Sequence, residues 1–578
     1  MKTFLELKKN LKKEINEVPP IKVAVIGDTA TQRLCTALKG MGVERGINID
    51  LFEAEYNQVE RQFLDPSSEL FSFVPNYIIL FQSTIKLLEK YSLSDAERQT
   101  IMSEDRINFL SSICQNEKLA KSRIICYNYP EIDDTVFGSF SNRVSSSFLY
   151  QLRLLNIGMM KLSQNYPNFY VCDLSSIQNQ IGRKAFFSTN IYVTTEIAVS
   201  TEALPFVASR TIDIISSLEG KFKKCLILDL DNTLWGGVIG DDGMDGIQLG
   251  HGLGIGKAFT EFQEWIRKLK NRGIIICICS KNDEDKAKEP FEKHPEMVLR
   301  LNDIAVFMAN WETKVDNIRT IQKILNIGFD SMVFIDDNPF ERNIIRENIP
   351  GITVPELPED PGLYLEYLYS ENLFETTSFS SGDKDRTKQY QVEAKRVNLS
   401  KTFDNEDDFL ESLNMVSEVS SFNSYNTPRV AQLSQRSNQF NLRTVRYTES
   451  DITEMAKDEN VIDLSFTLED KFGDNGLICV VILKRLGADT VFIDTWFMSC
   501  RVLKRGMENF VLNTMVDKAK QKGYKRIVGE FIPTAKNGMV ENLLPSLGFS
   551  VMADNNKRNI YSLEIDEYKK KKNHIKLK

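Results

Sequence analysis

The stretch Cys225 to Gly243, CLILDLDNTLWGGVIGDDG, constrains this chain more than any other. Four apolar residues, Cys225 to Leu228, read as a strand buried on both faces, which belongs in an α/β sheet covered on both sides. The chain then alternates Asp229, Leu230, Asp231. Side chains two apart on an extended segment point the same way, so Asp229 and Asp231 project together from the strand's carboxyl end, where open α/β sheets bind ligands. One carboxylate can attack while the other moves a proton.

Asp-Leu-Asp-Asn-Thr-Leu resembles the first motif of the haloacid-dehalogenase (HAD) type phosphotransferases, and DLDNTLWGGVIGDDG resembles the FkbH-type subgroup. The resemblance implies that Asp229 is the nucleophile that forms an aspartyl-phosphate, and that Asp231 is the acid/base. Three further segments follow in the family's order. IIICICSKND, residues 274–283, is a second apolar strand ending at Ser280, which matches the hydroxyl residue that holds phosphoryl oxygens. NWETKVDNI supplies Lys314, which matches the cation beside the phosphoaspartate. SMVFIDDNPFER, residues 331–342, is a third strand ending in Asp336 and Asp337. The resemblance implies Mg2+ held by Asp229, the Asp231 carbonyl and Asp336, with Asp337 the weaker match. It implies phosphate contacts from Thr233, Ser280, Lys281 and Lys314. A hard, oxygen-seeking cation suits carboxylates and a phosphate.

The region before this domain opens with IKVAVIGDTATQRL, a strand running through Gly-Asp-Thr into a helix, and NYIILF and SRIICYNYP read as later strands of a doubly wound sheet. It resembles an SGNH-hydrolase domain, with Thr29 standing where that family has its serine. No histidine precedes His251, so the family's base is missing and a domain without hydrolytic activity is expected. Asp173, in VCDLSS, reads as structural. In the central domain, KAFTEFQEWIRKLKNRG is an amphipathic helix with Phe259, Phe262, Ile266 and Leu269 on one face and Gly273 past its end. The Gly-rich loop GIQLGHGLGIG before it can cap the site, with His251 at the surface. Prolines from Pro350 to Pro361 mark the domain's end.

The last third has another grammar: LICVVILKRL and TVFIDTWFMSC as adjacent strands, then RVLKRGMENFVLNTMVDKAKQKG as a helix, then KRIVGEFIPT as a strand. That order resembles the GNAT acyltransferase fold, whose glycine-rich loop offers backbone N–H groups to the pyrophosphate of coenzyme A. The corresponding loop runs from Arg501 to Gly506, with Lys504 replacing the first glycine. Arg501, Lys504 and Gly506 are therefore candidates for the phosphopantetheine arm of a carrier protein. Cys500, expected just before a helix start and beside Arg501, is the candidate covalent acyl carrier, with Cys279 the weaker alternative. RSNQFNLRT, residues 436–444, resembles a recurrent FkbH-type segment and reads as an ordered turn.

The expected fold is α/β multidomain. An SGNH-like doubly wound domain spans 1–217, a HAD-type Rossmannoid domain 218–375, a helical connecting region 376–444 and a GNAT-like domain 445–578. The 578 residues are 42% hydrophobic, ample for several cores, and the net charge of −8 gives no reason to expect nucleic acid or an anionic membrane. No apolar run approaches the roughly 18 residues of a membrane span. Nine cysteines without C-x-x-C pairs read as free thiols in a reducing, cytoplasmic compartment. Three histidines exclude histidine-rich metal or triad chemistry. The FkbH-type resemblance implies a glyceryl transferase and phosphatase. It would take 1,3-bisphosphoglycerate, pass the glyceryl unit through an enzyme thioester, and deliver it to an acyl carrier protein in polyketide-type synthesis. The alternatives are a simple phosphatase of a small phosphorylated metabolite and a catalytically inactive carrier-protein-binding module.

Overall fold

The computed structural model describes residues 2–13, 18–379, 386–400, 402–534, 536–555 and 558–578. It forms two compact units, Met1–Ser217 and Leu218–Lys578. In the first unit the apolar runs become β1 (Ile21–Gly27), β2 (Ile49–Glu53), β3 (Tyr77–Phe81), β4 (Arg123–Tyr127) and β5 (Phe169–Cys172). They pair in parallel in the order β2-β1-β3-β4-β5. Thr29, just past β1, is buried and its Oγ1 has no hydrogen-bond partner. Beside it, the Asp28 carboxylate accepts the Ser83 N–H at 2.8 Å. Asp173 caps the helix Leu174–Ile181 by accepting the Ser176 N–H at 3.0 Å, a structural task.

The second unit holds two sheets. β6 (Cys225–Leu228), β7 (Ile275–Ser280), β8 (Val306–Ala309) and β9 (Met332–Ile335) form a parallel sheet in the order β8-β7-β6-β9. Every side chain of β6, β7 and β9 is buried, because helices cover both faces. The helix Ile255–Asn271 contributes Phe259, Phe262, Ile266 and Leu269 to that core, and Gly273 past its end has the positive φ, 97°, that glycine tolerates.

The larger sheet contains β10 (Val416–Ser417), β11 (Val419–Ser420), β12 (Val461–Asp470), β13 (Gly473–Arg485), β14 (Thr490–Met498), β15 (Arg526–Phe531), β16 (Ser550–Asn555), β17 (Arg558–Glu564) and β18 (Lys576–Leu577). Its order is β16-β17-β15-β14-β13-β12-β10-β18, with β11 on β12. The strand, strand, helix, strand order expected from the sequence is present. Residues 376–444 are not only helical, since they supply β10 and β11 to this sheet. β14 and β15 pair only from Thr490 to Ile493 and then diverge. Residues 440–442 enter the gap: Leu442 N–H donates to Trp496 O at 3.3 Å and Ile532 N–H to Leu442 O at 3.0 Å. Among the described residues, no helix is long and apolar enough to cross a membrane.

Candidate functional site

The carboxyl ends of β6, β7 and β9 converge on the residues the motifs single out. Asp229 follows β6 and its N–H donates to Ile335 O on β9 at 3.0 Å, so the strand pairing itself fixes its position. Lys314 is the first residue of the helix Lys314–Leu325, with only 4% of its surface exposed. Its Nζ lies 2.8 Å from Asp229 Oδ2 and 2.6 Å from Asp336 Oδ2. Asp336 is fully buried. Ser280 ends β7, buried.

Asp229, Asp336 and Asp337 each bring one carboxylate oxygen within 4.8 Å of the others. One ammonium faces three carboxylates, and Asp229 Oδ1 is buried with no hydrogen-bond partner. The electrostatic consequences follow. Burial and then the Asp229 charge push Asp336 up to about 7. Burial, again with Asp229, raises Asp337. Burial by itself would lower Lys314, but Asp229 and Asp336 outweigh it and hold the ammonium well above its ordinary value. Such a cluster can bind a divalent cation, and a buried carboxylate with one oxygen held and one free can act as a nucleophile.

Asp231 lies outside this group of three. Its Oδ1 accepts Trp235 Nε1–H at 2.9 Å and the Ile239 N–H at 3.0 Å, and its Oδ2 accepts Asn282 Nδ2–H at 3.0 Å. Burial raises its pKa against those donors. A carboxyl so placed can hold or release a proton. Its side chain is not placed as a cation ligand, whereas Asp337, the weaker match on sequence, stands in the cluster. Thr233 Oγ1 donates to Asp337 Oδ1 at 3.1 Å and accepts the Asp337 N–H at 3.1 Å, so it positions that carboxylate. Lys281 Nζ pairs with Glu341 at 2.6 Å. His251 is exposed. Sequence reasoning missed Trp235 and Asn282, which bear on Asp231 from the next turn and from the loop after β7.

The expected helix over Arg501–Gly506 is not formed. Cys500–Val502 is a 3-10 turn and the helix begins at Met507 with Gly506, φ 73°, as its cap. Cys500 thus does not immediately precede the helix start, as the sequence led one to expect. Lys504 is exposed at φ 61°, while the buried Arg505 pairs with Asp470 at 3.1 Å and with Glu393. Eight of the nine cysteines, Cys279 included, are buried, and Cys500 is partly exposed. It lines a separate cavity of about 420 Å³ together with Arg436 to Phe440 of the RSNQFNLRT segment.

Parallel strands with an Asp-x-Asp turn, a buried lysine and a terminal Asp pair define a HAD-type phosphatase fold and site. Residues 22–216 match the FkbH N-terminal domain. The N-terminal part of the protein BF1531 from Bacteroides fragilis, containing a phosphatase domain and complexed with Mg, is 62% identical over 66% of this chain and 100% of that one, with a TM-score of 0.64. The chain belongs to the FkbH-like family of HAD enzymes. Other similar structures are the ribosomal-protein-S18-alanine N-acetyltransferase from Escherichia coli (17% identity, 26% of this chain, 94% of that chain, TM-score 0.21) and an N-acetyltransferase from Staphylococcus aureus Mu50 (13%, 26%, 99%, 0.21). No curated relative matches the chain.

Proposed function

We propose that this chain is a magnesium-dependent HAD-type phosphatase and glyceryl transferase. It dephosphorylates 1,3-bisphosphoglycerate and loads the glyceryl unit onto a phosphopantetheinylated acyl carrier protein, in polyketide-type biosynthesis in the cytoplasm. The observation that carries the reading is Lys314 clamped between Asp229 and Asp336 while Asp229 Oδ1 has no partner. Three carboxylates against one ammonium fit a dication, and Asp229, Asp336 and Asp337 would hold it. When bound, Mg2+ supplies charge neutralisation for the phosphoryl oxygens.

The chain's own residues do the rest. Lys314 fixes one oxygen of Asp229 and leaves the carboxylate to attack phosphorus. The bond from phosphorus to the leaving oxygen breaks, and that oxygen takes a proton from Asp231, whose pKa burial raises. Asp231, now a carboxylate, then removes a proton from water. The resulting hydroxide attacks the aspartyl-phosphate, and phosphate leaves with Asp229 restored. Ser280 and Lys314 are the proposed phosphoryl contacts. For acyl transfer, the Cys500 thiolate attacks the acyl carbonyl of the acyl phosphate and phosphate departs with the C–O bond's electron pair. The carrier's pantetheine thiol then loses its proton to solvent, attacks the thioester and releases the Cys500 thiolate.

A second reading, a simple phosphatase of a small phosphorylated metabolite, is favoured by the separation of Cys500 from the α-helix that starts at Met507. Intact-protein mass spectrometry separates the two. The protein is mixed with magnesium, 1,3-bisphosphoglycerate and a competent carrier protein, beside Asp229→Asn and Cys500→Ala. A glyceryl adduct on the carrier that disappears in both variants supports the two-site enzyme. Phosphate release without any adduct supports the phosphatase alone.

A further inference from the structure

The cavity beside Cys500 lies at the opposite end of the parallel sheet from the carboxylates. Lys224 immediately precedes β6, Ile275 begins β7 and Ser331 immediately precedes β9, and all three line it. Asp229 and Asp336 follow those strands at their other ends. The four residues of β6 span about 13 Å, so one small molecule in the cavity cannot also reach Asp229.

The lining is cationic. Among the described residues, Lys224, Arg386, Arg429, Arg436, Arg501 and Lys536 line a volume of about 420 Å³, against the single carboxylate of Asp330. That carboxylate is already paired with Lys536. Arg501 is only 7% exposed, and its Nη1 is buried without a hydrogen-bond partner among the described residues. A buried guanidinium N–H left unmatched is costly unless an acceptor fills it. The neighbouring charges agree: burial, with Arg386, Lys536 and Arg436 close by, depresses Lys224 to about 8 against the opposing effect of Cys500. Burial and then Arg386 likewise lower Arg501, against Tyr390 and Cys500. A dianion accepting from several of these donors relieves their mutual repulsion and supplies the missing acceptor. Phe440, Met498 and Ile327 give the rest of the wall an apolar surface for a short carbon skeleton. Ligand pockets start at about 300 Å³, so the volume suits a small metabolite.

We propose that this cavity is a second phosphate site, which binds a small phosphate monoester with its phosphoryl group on Arg501 and Lys224 and its carbon end toward Cys500. It is separate from the carboxylate site and does not depend on turnover there.

The test uses the full chain with glycerol 3-phosphate as the probe, in EDTA. Cys500 is the partly exposed cysteine, so its alkylation by iodoacetamide, read by peptide mass spectrometry, reports occupancy. At ten times the Kd measured by titration calorimetry, labelling of Cys500 slows about tenfold, and glycerol does not slow it. Asp229→Asn keeps the protection and the calorimetric Kd. Arg501→Gln, with an unchanged melting temperature, loses both, and Lys224→Gln weakens both. Absence of calorimetric binding overturns the proposal, as does protection that survives in Arg501→Gln and Lys224→Gln alike. Protection lost in Asp229→Asn also overturns it, by moving the phosphate to the carboxylate site.

Discussion

Replacing Lys314 with methionine keeps the length of the side chain and removes the ammonium shared by Asp229 and Asp336. The contacts are 2.8 and 2.6 Å, and Lys314 is 4% exposed. At an effective dielectric of about 20 each is worth about 6 kcal/mol of attraction, before the several kcal/mol needed to desolvate the ammonium is set against it. Removing one partner of such a buried pair costs about 3–5 kcal/mol, because carboxylates are left facing each other. In a unit of this size that corresponds to a fall in melting temperature of about 4–7 °C in EDTA. A dication held by the same carboxylates replaces the lost charge, so magnesium at about a hundred times its Kd restores about 2.7 kcal/mol. The melting temperature of Lys314→Met therefore responds to magnesium more steeply than that of the parent. Differential scanning calorimetry in EDTA and across a magnesium series measures both. A variant that melts within about 1 °C of the parent in EDTA would falsify the claim that this ammonium holds the cluster together.

Asp231→Asn reduces phosphate release from alkyl phosphates by about 10²–10⁴-fold, the usual contribution of a general acid. The loss in kcat/KM, which reports formation of the aspartyl-phosphate, is much smaller with p-nitrophenyl phosphate, whose leaving group needs no proton. Equal losses in kcat/KM on the two substrates would remove Asp231 from protonating the leaving oxygen. EDTA abolishes phosphate release and magnesium restores it; activity that persists through exhaustive chelation contradicts the metal reading. In the first unit, burial pushes Asp28 up to about 6, opposed by the Ser83 N–H, so the folded state holds the proton more tightly than the unfolded chain. For this group stability is greatest below the ordinary carboxylate value and is lost as pH rises through about 6. Asp28→Asn, which keeps an oxygen acceptor for Ser83, stabilises the first unit at pH 8 by up to about 3 kcal/mol, with no gain in acid. Hydrogen exchange at β1 and β3 reads it. Asp470→Ala strands Arg396 and Arg505, both buried on that carboxylate. It costs the second unit about 3–5 kcal/mol by chemical denaturation.

The carboxylate site was legible because its chemistry is written locally. Each of its residues ends an apolar strand or begins a helix, and the side-chain period of two fixes which way Asp229 and Asp231 leave β6. Asp336 and Asp337 were harder to separate, because adjacent residues at a strand end are distinguished by the turn that follows. Here Thr233, from the loop after β6, bonds both the Asp337 N–H and its carboxylate. No pattern within SMVFIDDNPFER encodes that partner. The helix start expected beside Cys500 was misplaced for a related reason. Helical spacing through RVLKRGMENF looks continuous, but Arg505 is drawn into the pairs with Asp470 and Glu393, and the chain turns at Gly506 before the helix starts.

The cavity could not be read at all from the order of residues. Its cations come from positions as far apart as Lys224, Arg386, Arg429 and Lys536, each unremarkable in its own segment. The one local signal was RSNQFNLRT, and it reads correctly as an ordered turn, because residues 440–442 hydrogen-bond into the gap where β14 and β15 part. The same segment is also a wall of the cavity, where Arg436, Asn438 and Phe440 line it together with Cys500. A turn that closes a sheet and lines a pocket ties the two sites to one framework. β6, β7 and β9 present carboxylates at one end and border the cationic cavity at the other, so a single rigid sheet keeps a phosphate-cleaving site and a phosphate-holding site apart.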